Sequence, residues 1–113
     1  AYNPNIYAIA ESIAHSPGIK TGGDYLFHAR RLLESGQMTF EFPRPVYTET
    51  LAGAEFHIMS VDLRVPPTGK MMQEYYATVR KAHVLVFILS YVTEEERAEL
   101  HKILETMTLT PQP

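Results

Sequence analysis

An α+β fold, an antiparallel sheet of four to six strands with helices packed on it, follows from three observations. Val84, Leu85, Val86, Phe87, Ile88 and Leu89 are apolar without a break, so both faces of that strand must be dry and it belongs in the middle of a sheet. Two segments, after Thr21 and after Thr93, combine a capping pattern with apolar residues at helical spacing and can cover such a sheet. The order strand, helix, four or five antiparallel strands, helix then makes an α/β/α sandwich.

Each element has its own reason. Ile6, Tyr7, Ala8, Ile9, Ala10 and Ile13 read either as a short helix capped by Asn3 with Pro4 at its first position, or as a strand over 5–12. Ser16, Pro17 and Gly18 make a turn. Thr21 with Asp24 three residues later resembles a capping box, and Tyr25, Leu26, Ala29, Leu32 and Leu33 form a helical stripe that Gly36 can close as a left-handed cap. Residues 38–42 alternate as a strand with Met38, Phe40 and Phe42 on one face, stopped by Pro43 and Pro45. Residues 46–51 run extended into a hairpin turn at Gly53. Over 55–65, Phe56 and Ile58 share one face and Met59, Val61, Leu63 and Val65 the other. Either a bulge flips the register or both faces are partly buried. Pro66, Pro67, Thr68 and Gly69 form the next turn. Residues 71–80 set Tyr75, Ala77 and Val79 against Glu74, Tyr76, Thr78 and Arg80, and a tight turn leads into the strand 84–91. Thr93 with Glu96 opens a helix over 94–107 whose stripe is Leu100, Ile103, Leu104 and Met107. The tail 108–113 carries two prolines and is expected to fray.

Bulk properties exclude more than they assign. The 113 residues fit one domain, standing alone or as part of a longer chain. Ten Lys and Arg are interspersed with 13 Asp and Glu for a net charge of −3, which leaves no basic stripe for nucleic acid. Cysteine is absent, which removes disulfides, thiolate catalysis and Cys-ligated zinc. No apolar run approaches the ~20 residues of a membrane helix. The chain starts with Ala1 rather than Met, so an exported or periplasmic location is compatible with a segment removed upstream.

The C-terminal half carries a resemblance. A small-residue turn before Glu55, Phe56 and His57, the strand Tyr75–Tyr76–Ala77–Thr78–Val79, a two-residue turn, the apolar strand from Val84 to Leu89 and a Glu-rich helix are its marks. So are Asn3–Pro4–Asn5–Ile6 and Asp24–Tyr25–Leu26. Together they resemble the PsbP-like fold, which includes the photosystem II extrinsic protein PsbP, DcrB-like lipoproteins and the Ran-binding Mog proteins. The resemblance favours the strand reading of 5–12 and implies accessory, non-catalytic roles in binding protein partners. It supplies no catalytic residues. Related chains begin with a hairpin ahead of the Asn-rich strand, and their tight turn carries Gly where this chain has Ala82.

Chemistry-bearing residues do not converge in the sequence. His15, His28, His57, His83 and His101 fall on five different elements or turns, without a metal-ligand spacing. No metal or other cofactor is expected. Asp24 and His28 are spaced for a surface ion pair on the first helix. No serine has a Gly-x-Ser-x-Gly context, and Gly22–Gly23 reads as helix entry rather than as a phosphate loop. Tyr75, Phe87 and Tyr91 are expected to pack across strands under a helix, with Tyr76 and Met72 on the other side. The expected function is a non-enzymatic accessory domain that binds protein through a patch of Glu55, His57, Met72 and Tyr76 or through an exposed edge strand, homodimerisation included. The alternative is a small-ligand or hydrolytic pocket between sheet and helix using Glu55, His57 and Tyr76.

Overall fold

A computed structural model describes residues 4–65 and 69–109. It holds β1 (Asn5–Ser12), α1 (Gly22–Glu34), β2 (Phe40–Glu41), β3 (Tyr47–Leu51), β4 (Ala54–Val65), β5 (Gly69–Arg80), β6 (His83–Tyr91) and α2 (Glu94–Glu105). Six strands form one antiparallel sheet in the order β1-β6-β5-β4-β2, with β3 also pairing β4. β6 is thus an inner strand, and Val84, Val86 and Leu89 are fully buried. The first segment is a strand, as the resemblance favours; Asn3, the cap of the helical reading, lies outside the described residues.

The register explains the change of pattern in β4. Its pairing with β5 is continuous from His57↔Ala77 to Val65↔Gly69, so no bulge intervenes and the strand is buried on both faces. Phe56 and Ile58 meet Tyr76, Leu89, Leu100 and Leu104 on the side covered by α2. Met59 and Val61 meet Ala77, Val84, Val86 and Leu26 on the side covered by α1. Each fully buried Val or Leu contributes roughly 1.5–3 kcal/mol, and here the gain falls on both sides of one sheet.

Local chemistry sets the helix ends. Thr21 Oγ1 accepts from the Asp24 N–H at 3.2 Å while Asp24 Oδ2 accepts from the N–H groups of Thr21 and Lys20. These two backbone donors hold the Asp24 carboxyl below the usual carboxylate range. Thr93 and Glu96 repeat the box at α2. Gly22 permits the close docking of α1, because a Cβ there would strike the Ala77 carbonyl oxygen, and Gly23 lies against the His57 ring.

Several boundaries and contacts differ from the sequence reading. Gly36 is not left-handed; Ser35 caps α1 in right-handed geometry and both N–H groups return to helix carbonyls. The expected strand over 38–42 shrinks to two residues, since Pro43 ends it and Met38 stays exposed. α2 ends at Glu105, and Ile103 of its expected stripe is 58% exposed while Leu100 and Leu104 carry the packing. The tight turn is closed by Lys81, at φ 57°, rather than by Ala82. The turn at 66–68 and the tail over 110–113 lie outside the described residues.

Candidate functional site

The sheet divides the expected patch. Strand alternation puts Glu55 and His57 toward α1, and Tyr76 and Met72 toward α2, as the pairs His57↔Ala77, Ile58↔Tyr76 and Asp62↔Met72 require. The four residues therefore form no common surface, and Glu55, His57 and Tyr76 do not converge on one pocket. His57 packs its ring on Gly23, its Nδ1 buried without a hydrogen-bond partner among the described residues. With Lys20, Thr21, Glu55 and Thr78 it lines a cavity of ≈ 160 Å³, whose adjacent helix N-terminus already holds the Asp24 carboxylate. Tyr76 is core: it is 1% exposed, stands beside Phe87 in the register and packs edge-on to Phe56. Tyr75, expected with Phe87 and Tyr91, is instead on the α1 side, and Tyr76 takes its place under α2.

Toward α2 the structure assembles a polar cluster that sequence reasoning missed. Glu74, 2% exposed, sits between Tyr76 and Met72 on β5. Its Oε1 lies 2.8 Å from His101 Nε2 and 3.3 Å from Arg97 Nε, and its Oε2 accepts from Arg97 Nη2 at 3.4 Å. Arg97 also reaches Glu94 at 3.3 Å, which leaves its guanidinium fully engaged. Burial, and then the Glu74 charge, push the Tyr91 phenol up to about 12 and raise Tyr76 further still. The Tyr76 hydroxyl is buried without a hydrogen-bond partner among the described residues. A signal existed: Arg97 and His101 are i, i+4, and Glu74 shares the inward parity of Tyr76. Chemically the cluster is a latch, since both oxygens of the carboxylate are engaged by side chains of α2. Glu74 and Arg97 themselves line a cavity of ≈ 340 Å³ together with Arg44, Asp62, Met72 and Tyr91, a wall that mixes both charges.

Toward α1 the feature is apolar and open. α1 lies over β4 and β5, with Leu26 fully buried against Met59, Val61 and Ala77. The β6–β1 margin of that face is open at its Ile88–Tyr7 end, where Ile88 is half-buried, while Val84 and Val86 farther along β6 are fully buried. There Tyr75, Ile88 and Tyr7 stand in one cross-strand row, with Tyr7 66% exposed. Tyr25, Ala29, Leu32 and Leu33 wall a groove of ≈ 360 Å³ that Tyr75 floors and Glu11 and His28 border. Leu32, expected in the buried stripe, is 76% exposed at its rim. Among the described residues no three His, Asp or Glu side chains are grouped to hold a metal ion, and no helix is long and apolar enough to cross a membrane.

An α+β sandwich with one apolar margin uncovered is thus the class the geometry defines. No family model and no curated protein matches the chain. Among solved structures it is similar to PA94 from Pseudomonas aeruginosa, a protein of unknown function, with TM-score 0.67 and 14% identity over 97% of this chain and 85% of that one. At that identity the likeness concerns the fold alone.

Proposed function

We propose that the chain is a non-enzymatic accessory domain that binds another protein through the uncovered margin of its α1 face. The observation that carries the reading is the row Tyr75–Ile88–Tyr7, which runs from the floor of the groove that the exposed Leu32 walls to the exposed Tyr7 on β1. A groove with a tyrosine floor, largely aliphatic walls and a sparse polar border suits protein contact better than turnover. The PsbP-like kinship suggested by the strand and helix pattern supports the same accessory role. The alternative pocket chemistry loses support because Glu55 and His57 lie across the sheet from Tyr76.

A photo-reactive amino acid placed at Leu32, and separately at Lys102 on the outer side of α2, tests the reading. The Leu32 position is expected to capture one discrete protein that Lys102 does not. That protein, once purified, should bind the unmodified chain and lose about tenfold or more in affinity for Leu32→Lys. Equal capture at both positions, or binding indifferent to Leu32→Lys, would remove the proposal.

A further inference from the structure

The two edges of the sheet are treated differently by the sequence. On the β4 side the edge is broken into β2, two residues long, and β3, five residues long, with Pro43 and Pro45 between them. Those are the devices by which edges are kept from pairing with other chains. On the other side β1 runs eight residues in unbroken register with β6, from Asn5↔Ser90 to Ser12↔His83. It contains no proline, no bulge, no lysine and no arginine, and its single charge is Glu11. Among the described residues no strand flanks the outer side of β1, so it offers a row of backbone donors and acceptors to a partner.

The strand also supplies its own complement. Two copies related by a twofold axis pair antiparallel, and outward-facing residues of one must meet outward-facing residues of the other. The axis must therefore pass through a residue. Placed at Ala8, which is small and exposed, it sets Tyr7 of each copy against Ile9 of the other on the α1 side. Ile6 then faces Ala10 and Asn5 faces Glu11, so no like charges meet. An aromatic ring opposite a β-branched side chain is a favourable cross-strand pair, and here it occurs twice.

We infer that β1 pairs with β1 of a second copy of this chain in the register centred on Ala8, joining two six-stranded sheets into one. The pairing sets two open α1-side margins next to each other across the axis, and in that respect the inference rests on the docking surface proposed above. A strand pair with two Tyr–Ile contacts lies at the small end of interfaces, so the dimer is a weak one that forms at high micromolar concentration.

Light scattering on the 113-residue chain is expected to give about twice 12.8 kDa at high micromolar concentration. Ala8→Lys and Ala8→Glu each place like charges on the axis. Each variant should stay monomeric with an unchanged circular dichroism spectrum and melting temperature. An equimolar mixture of the two should recover the dimer mass, which a general loss of structure would not allow. A strictly monomeric wild type, a dimer that persists in Ala8→Lys, or a mixture that stays monomeric would each overturn the inference. The Leu32 capture experiment does not depend on this outcome, so a monomer leaves the docking reading standing on its own test.

Discussion

Glu74 shows most plainly what a single residue does in this molecule. A carboxylate at 2% exposure is costly unless paired, and the cost is met from α2 by Arg97 and His101. The two partners are not equivalent, because the Glu74 side chain is 3% exposed and that of Arg97 31%. Removing the arginine strands a buried charge; removing the acid leaves a cation that water can reach. Arg97→Met is therefore expected to destabilise by about 3 kcal/mol and Glu74→Gln by only about 1 kcal/mol, measured by urea unfolding. Equal losses would show that the pair is not buried in this way. The inward parity of Glu74 is legible in the alternation of β5, but the i, i+4 spacing of Arg97 and His101 does not by itself say which strand they face. A lone buried carboxylate is visible in sequence only when its partner on another element is considered with it.

At the scale of the element, caps and hairpins were the most legible features. Both capping boxes form as their Thr-x-x-Asp and Thr-x-x-Glu spacing requires. The β3–β4 turn uses Ala52 and Gly53, both at positive φ, and pairs Leu51 with Ala54 as a two-residue hairpin. The β5–β6 turn was less legible. The sequence shows no glycine there, and the strained position is Lys81 and not Ala82. Lys81→Gly relieves a positive φ of 57° at an exposed position, and is expected to stabilise by about 1 kcal/mol, a rise of roughly 4–8 °C in Tm. A fall in Tm on scanning calorimetry would mean that Lys81 makes contacts worth more than the backbone strain. Leu32 and Ile103 mark the limit of pattern reading. Their spacing fits the buried stripe, yet each helix turns them past the edge of the surface it covers.

Across the whole molecule, the unbroken apolar run from Val84 to Leu89 predicted an inner strand with helices on both sides, and β6 occupies that place between β1 and β5. The candidate site was far less legible. Its residues come from α1, β1, β5 and β6, and their meeting depends on how much of one face α1 covers, which no local pattern encodes. The patch of Glu55, His57, Met72 and Tyr76 assumed neighbours on adjacent strands without fixing the register, and a one-residue difference in parity placed them on opposite faces. Both the architecture and the proposed docking margin depend on β6 being interior and β1 being the wet edge. Residue-resolved amide hydrogen exchange at low protein concentration reads that difference directly. Amides of β6 are expected to exchange only through global unfolding, while alternate amides of β1 exchange many times faster. Rapid exchange at alternate positions of β6, or uniform protection along β1 in the dilute monomer, would contradict the account.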